Sequence, residues 1–253
     1  MIIESRFNGP AGSGNGGYTA GLVAARLDGA AAVEVTLRAP PPLETPLRVA
    51  GAGAGIEVYA GERLVAAAAP VAADALGEPP PHVGFAEAAG ASQAYPGFVD
   101  HPFPTCYVCG PRRPAGDGLG IYPGPVGPGR TAAVWRVPEG VSPPTVWAAL
   151  DCPGGWAIIG PGRPYLLGRI AAQVRRVPAA GSRCVVTGAL VSTEGRKALV
   201  RTALYTADGE LLAVARAIWI AIREDAPGPV GDAAGRAKPA SSERPAGTQP
   251  SGA

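Results

Sequence analysis

The chain has 253 residues, a formal net charge of +2, and 17% charged and 47% hydrophobic residues. Its basic residues are dispersed and nearly balanced by acidic ones, which argues against nucleic-acid binding, and no apolar run reaches the length of a membrane span. The 37 glycines and 29 prolines approach a disordered composition, but the hydrophobic content is sufficient for a packed core. Charges within residues 1–6 do not fit a signal peptide, and four cysteines are too few for a disulfide framework, so we expect a cytoplasmic protein.

The first part of the chain predicts a short helix followed by four strands. Asn15 is suited to cap a helix over residues 18–27, because Asn accepts hydrogen bonds from the amides at a helix start. Alternation of apolar and polar residues favours the strands, which are expected at residues 31–39, 47–52, 56–60 and 63–71. Residues 1–7 are a further candidate strand.

The second part of the chain repeats this order of elements. A strand is expected over residues 130–137, and Ser142 begins a helix over residues 145–151 that Pro153 interrupts or bends. Four strands follow, at residues 167–177, 183–192, 197–206 and 211–222. Residues 59–66 also match residues 205–213 in sequence, which supports an internal duplication.

The duplication predicts two units whose sheet edges pair, because one unit alone leaves a strand edge exposed. We expect the first unit at residues 1–73 and the second at residues 119–224. A Pro- and Gly-rich linker at residues 74–118 would serve as a lid or as a simple crossover. Residues 225–253 have the composition of a disordered tail.

Four motifs resemble those of hotdog-fold thioesterases. Residues 15–21 are similar to the Gly-Gly helix start in the first unit of double-hotdog acyl-CoA thioesterases. Residues 147–151 are similar to the helix of their second unit, and residues 205–213 to their last hairpin. Residues 106–110, a Cys-x-x-Cys-Gly sequence, resemble the opening of many single-hotdog thioesterases of the phenylacetyl-CoA type.

This resemblance implies an α+β protein, a double hotdog in which two tandem helix-plus-antiparallel-sheet units form an internal pseudo-dimer. It also implies hydrolysis of an acyl-CoA or acyl-carrier thioester at a single site, with no cofactor. Hotdog units commonly pair further, so a homodimer of such chains is compatible with the resemblance.

The resemblance also divides the site residues between the two helices. The first helix keeps the glycines but has Ala24 where the acid would lie, whereas the second helix lacks the glycines and keeps Asp151. Asp151 would act as general base on water or as nucleophile. The backbone amides at Asn15, Gly16 and Gly17 would bind the thioester oxygen, because a helix N-terminus offers unpaired donors. The structural alternatives are that Asp151 only stabilises a bend and that the glycines only permit a tight helix start.

The sequence departs from the double-hotdog enzymes at two catalytic positions. Their Thr and Gln would fall near Leu167-Gly168 and Ala217, which carry no such side chains. Gln173 and Thr145 are candidate substitutes, but the departure also favours an alternative, a non-catalytic acyl-thioester binding protein. A hotdog hydratase would normally need a catalytic His, and both histidines of the chain lie in the linker.

The cysteines and arginines allow further interpretations. Cys106 and Cys109, with His101 before them, have the spacing of a zinc knuckle, but a second Cys-x-x-Cys is missing. Two buried thiols and no metal are therefore the favoured interpretation, and Cys152 is expected to be a packing residue. Five arginines are candidates for binding coenzyme A phosphates, at positions 112, 113, 163, 175 and 176.

Overall fold

The structure, a computed structural model, describes residues 1–160 and 163–222, so the tail at residues 225–253 lies outside the described residues. Its first unit contains helix α1 (Gly16–Ala24) and a run of four strands. The strands are β1 (Ala32–Leu37), β2 (Arg48–Ala52), β3 (Gly55–Ala60) and β4 (Arg63–Val71). Asn15 caps α1 as predicted, since its side-chain oxygen accepts a hydrogen bond from the Tyr18 amide at 2.8 Å.

The segment between the units contains helix α2 (Phe85–Gln93), and the short strand β5 (Gly124–Gly127) follows it. Helix α2 packs through Ala88 against Ala132 and Val185, which face away from the main core. The same segment therefore covers the outer surface of the second unit's sheet and also sends residues 106–109 into the main core.

The second unit contains two helices that follow its first long strand. The strand is β6 (Arg130–Arg136), and the helices are α3 (Pro143–Ala149) and α4 (Cys152–Trp156). The remaining strands are β7 (Tyr165–Val174), β8 (Arg183–Glu194), β9 (Lys197–Thr206) and β10 (Leu211–Ala221). Pro153 lies in the first turn of α4, where a proline is tolerated because the missing amide has no helical partner.

Within residues 1–160 and 163–222, ten strands join one antiparallel sheet in the order β2-β3-β4-β1-β7-β10-β9-β8-β6-β5. The two units meet at the pair β1 and β7, where Val35 lies opposite Ile170 and both side chains are fully buried. Pairing at this edge removes the exposed strand that each unit would present alone, as the duplication predicts. In the described residues, no helix is long and apolar enough to cross a membrane.

A charged cluster also spans the boundary between the units. The Glu34 carboxylate on β1 accepts contacts at 3.3 Å from both Arg169 on β7 and Arg216 on β10. The cluster is partly exposed, so it is screened by solvent and salt.

We expect Glu34→Gln to lower the free energy of unfolding by about 1 kcal/mol or less. The difference should shrink in high salt, and chemical denaturation at two salt concentrations measures it. A salt-independent loss would contradict an electrostatic origin.

The predicted strand at residues 1–7 does not form. Residues Ser5–Phe7 are a 3-10 helix, and the Met1 backbone instead exchanges hydrogen bonds with Leu47 outside the sheet. The turn lets Phe7 stack on Tyr18 of α1 with ring centroids 3.9 Å apart. Phe7 of this segment therefore packs against α1, whereas Ile2 is exposed.

Candidate active site

A cavity of about 680 Å³ lies between the two units. The first unit contributes the loop at residues 9–14, the start of α1 and the end of β1, and the second contributes Asp151, Trp156, Leu167 and Trp219. Residues 101–103 of the connecting segment complete the wall. The lining is mainly apolar with a few polar groups, which is the usual composition of a small-molecule site.

Asp151 lies at the junction between α3 and α4 and is only 3% exposed. Its Oδ2 accepts two hydrogen bonds at 3.0 Å, one from the Gly17 amide and one from Asn15 Nδ2. Its Oδ1 is buried and has no hydrogen-bond partner among the described residues. One oxygen is thus fixed by the first unit, and the other is left without a hydrogen-bond partner in this part of the structure.

Burial raises the pKa of the Asp151 carboxyl to about 7, because desolvation disfavours the charged form. Its two hydrogen bonds act in the opposite direction and favour the carboxylate. A carboxyl with a pKa near neutrality can accept and release a proton under physiological conditions. Such a group in a cavity is typical of functional sites.

The two glycines of α1 have different positions. The Gly17 amide donates to Asp151, so it is not available as the oxygen-binding donor expected from the sequence. A Cβ at this position would lie 2.6 Å from Asp151 Cβ and 2.7 Å from the Trp147 carbonyl oxygen. Gly17 therefore allows α1 to approach α3 closely enough to hold the carboxylate. Gly16 lines the cavity itself, and in the described part of the chain its amide donates no hydrogen bond.

Asn15 connects the helix start to the carboxylate. Its Oδ1 caps α1, and its Nδ2 donates to Asp151 Oδ2. The expected site residues Asn15, Gly17 and Asp151 are therefore within one hydrogen-bond network across the two units, and Gly16 lines the cavity beside it. Their catalytic roles stay predictions.

A group of three buried cysteines adjoins Asp151. Cys152 Sγ lies 3.9 Å from Cys106 Sγ and 3.2 Å from Cys109 Sγ. Asn15 Nδ2 is 3.8 Å from Cys106 Sγ, and His101 Nε2 is 3.3 Å from Cys109 Sγ. Hydrogen bonds from the neighbouring thiols hold the pKa of Cys106 well below its ordinary value.

Sequence reasoning placed Cys152 apart from the Cys-x-x-Cys pair, since 43 positions separate Cys109 from Cys152. The signal that would have joined them is the position of Cys152 next to Asp151. The connecting segment, with Cys106 and Cys109, comes near that carboxylate only if it folds over helices α3 and α4. No local spacing in the sequence encodes that contact.

Other sequence candidates lie elsewhere. Thr145 closes a capping box with Ser142 at the start of α3, and Gln173 accepts a hydrogen bond from Arg175 on the sheet. None of the five candidate arginines lines the cavity described here. Two arginines that were not singled out do so, Arg38 at the end of β1 and Arg196 between β8 and β9, and both are exposed.

No protein-family model and no curated protein matches the sequence. Solved structures do match the fold. A candidate thioesterase from Novosphingobium aromaticivorans is 15% identical, with 88% of this chain and 94% of that chain covered at a TM-score of 0.57. The tesB protein of Mycobacterium avium subs. paratuberculosis is 13% identical, with 85% and 89% covered at 0.52.

A hotdog-fold protein of unknown function from Alicyclobacillus acidocaldarius is 11% identical, with 87% and 91% of the chains covered at a TM-score of 0.57. The predicted fold class is confirmed, because these matches extend over most of the chain and over a continuous antiparallel sheet. The protein is an α+β double hotdog. At these identities the similarity shows the fold alone.

Proposed function

We propose that the protein hydrolyses an acyl thioester of coenzyme A or of an acyl carrier in the cavity between its two units. The observation that carries this proposal is the Asp151 carboxylate, buried in an apolar cavity with one oxygen fixed and the other unpartnered among the described residues. The thioesterase name of the fold relative from Novosphingobium aromaticivorans agrees with it.

The Gly16 amide is the proposed donor to the thioester oxygen. Gly16 is the first residue of α1, a helix of 9 residues, so its amide lacks a helical acceptor and lies at the positive end of the helix dipole. It lines the cavity without a side chain between the backbone and a ligand. Negative charge that develops on the thioester oxygen would be stabilised there.

Asp151 is the proposed general base. The Gly17 amide holds Asp151, and Gly17 directly follows Gly16, so the carboxyl lies beside the proposed oxygen-binding amide. The attacking water would donate a hydrogen bond to Oδ1, which has no other partner among the described residues. The water oxygen forms the new bond to carbon, its proton passes to Asp151, and the carbon–sulfur bond then breaks. The leaving thiolate takes the proton from Asp151. Because a thiol has a pKa of about 8.5, its thiolate leaves readily, so the proposed mechanism needs no general acid other than Asp151.

Release of free thiol from acyl-CoAs of graded chain length tests this function. We expect turnover with at least one chain length, because the apolar wall formed by Leu167, Trp156 and Trp219 suits an acyl chain. Binding is measured in parallel with a non-hydrolysable thioether analogue. Absence of turnover with every acyl-CoA and every acyl-carrier thioester would overturn the proposal.

A second candidate function is acyl-thioester binding without turnover. It is favoured by the apolar residues Leu167 and Ala217, which occupy positions where the resemblance implies polar catalytic side chains, and by Thr145 and Gln173, which are engaged elsewhere. Tight binding of the thioether analogue, with acyl-CoA recovered without hydrolysis, would support binding without turnover.

The two arginines at the cavity rim predict a preference for coenzyme A. We expect Arg38→Ala and Arg196→Ala each to raise KM for an acyl-CoA by about 3-fold, since exposed charge pairs contribute about 0.2–1 kcal/mol. The kcat should not change. The matching N-acetylcysteamine thioester, which lacks phosphates, should show no change in KM.

Arg63→Ala is the matched control, because Arg63 is an exposed residue at the start of β4 and does not line the cavity. The KM effect should also decline in high salt, where exposed charges are screened. Equal KM changes for both thioesters would contradict phosphate recognition by these arginines.

A further inference from the structure

Three cysteine side chains from two distant parts of the chain converge beside the cavity. Cys106 and Cys109 belong to a turn of the connecting segment, and Cys152 begins α4. The three Sγ atoms all lie within 4.8 Å of one another, and the residues are 2–5% exposed. The fourth cysteine, Cys184, lies on β8 outside this group.

The turn that carries Cys106 and Cys109 depends on the glycine that follows it. The Gly110 amide donates to the Cys106 carbonyl oxygen at 2.9 Å. A Cβ on Gly110 would lie 2.5 Å from the Cys106 nitrogen and 2.6 Å from that oxygen. Gly110 therefore lets the backbone close tightly, and the closed turn directs both sulfurs toward Cys152.

The sulfur spacing fits a tetrahedral thiolate site. With a zinc–sulfur bond of about 2.3 Å, two thiolates at the corners of a tetrahedron lie about 3.8 Å apart. The separation of 3.9 Å between Cys106 and Cys152 matches this value, and the 3.2 Å between Cys109 and Cys152 needs an opening of about half an ångström. A disulfide would use only two of the three sulfurs.

His101 is placed as a donor to the sulfur cluster. Its Nδ1 accepts a hydrogen bond from the Phe103 amide at 2.8 Å, so in the neutral ring the proton resides on Nε2. Nε2 lies 3.3 Å from Cys109 Sγ and can donate to it. Asn15 Nδ2 similarly faces Cys106 Sγ. Both donors would stabilise negative charge on thiolates, as residues that hydrogen-bond to the ligands do at metal centres.

The geometry points to a zinc site in which the thiolates of Cys106, Cys109 and Cys152 bind the ion and His101 donates a hydrogen bond to Cys109. Water or another exogenous ligand takes the fourth position. The bound ion fixes the turn of the connecting segment to the start of α4, one residue after Asp151. The ion therefore positions the Asp151 carboxylate. The zinc site does not depend on which reaction takes place in the cavity.

Metal analysis of the purified full-length protein under reducing conditions tests this site. We expect about one zinc ion per chain. After chelation, titration with Co²⁺ should give the near-ultraviolet thiolate-to-cobalt charge-transfer absorption, with an intensity that corresponds to three thiolates. This readout needs no substrate, so a failure of the proposed hydrolysis leaves it unaffected.

Variants separate the three ligands from their neighbours. Cys106→Ser, Cys109→Ser and Cys152→Ser should each weaken zinc binding by at least about 10-fold, whereas the matched control Cys184→Ala should keep full zinc content. His101→Gln should retain the three-thiolate cobalt spectrum, because His101 is not a ligand.

Three results would overturn the site. One is wild-type protein that holds no zinc and gives no charge-transfer absorption with Co²⁺. Another is a disulfide between Cys109 and Cys152 in protein purified without oxygen. The third is a charge-transfer intensity in Co²⁺-loaded wild-type protein that corresponds to two thiolates or fewer. This measurement uses no variant, so it tests the three-thiolate site even if the serine variants do not fold.

Discussion

Asp151→Asn should reduce kcat for acyl-thioester hydrolysis by about 10²–10⁴-fold, the range that a positioned general base contributes. The amide keeps the shape of the carboxyl, and its oxygen can still accept from Gly17 and Asn15. Its nitrogen would occupy the position of the unpartnered Oδ1 and cannot accept a proton from water. Steady-state thiol release by wild type and variant measures the loss.

A matched control distinguishes lost chemistry from lost structure. Asp28→Asn makes the same chemical change at an exposed residue outside the cavity and should leave kcat unaltered. The Asp151→Asn protein should bind the non-hydrolysable thioether analogue within about 3-fold of wild type, because the thioester-binding groups are unchanged. Equal kcat values for wild type and Asp151→Asn would remove the role assigned to Asp151.

Gly17→Ala should impair both stability and turnover. The added Cβ would lie 2.6 Å from Asp151 Cβ and 3.1 Å from Ala148 Cα, so α1 and α3 must separate. Overpacking of this kind costs about 1–3 kcal/mol. Separation would also lengthen the hydrogen bond that holds Asp151, and a displacement of about 1 Å at a catalytic group can reduce kcat about 10²-fold. Chemical denaturation and thiol release measure the two effects.

Two other glycines provide controls for this substitution. Gly21→Ala would bring a Cβ to 2.6 Å from Pro144 Cα, so it should destabilise the same helix contact without touching Asp151 and should lower kcat less. Gly90→Ala on α2 meets nothing within 4 Å and should raise stability by about 0.5–1 kcal/mol, as Ala normally does in a helix. A Gly17→Ala protein as stable and active as wild type would contradict the close contact.

The sequence was sufficient to predict the repeated order of helix and strands, because alternation and turn residues act locally. The strands that pair at the unit boundary, β1 and β7, were both expected within a few residues of their observed bounds. The strand expected at residues 1–7 was wrong because Phe7 stacks on Tyr18, a contact that alternation does not encode.

The candidate site was predictable only in part. Asp151, Gly16 and Gly17 follow from the resemblance, but the sequence does not reveal that the Gly17 amide is used by Asp151. That contact depends on how closely α1 and α3 pack, which is set by tertiary structure. The contact of Cys152 with the Cys-x-x-Cys turn likewise depends on the path of the connecting segment.

The central claim is that Asp151 activates water to attack a thioester in the cavity. The most direct test uses an acyl-CoA that the protein is found to hydrolyse. Its hydrolysis is carried out in ¹⁸O-water under single-turnover conditions. We expect free coenzyme A and an equal amount of acid that carries one solvent oxygen, with no label in the peptide that contains Asp151. Label in Asp151, or acyl-CoA that binds and is recovered unchanged, would contradict it.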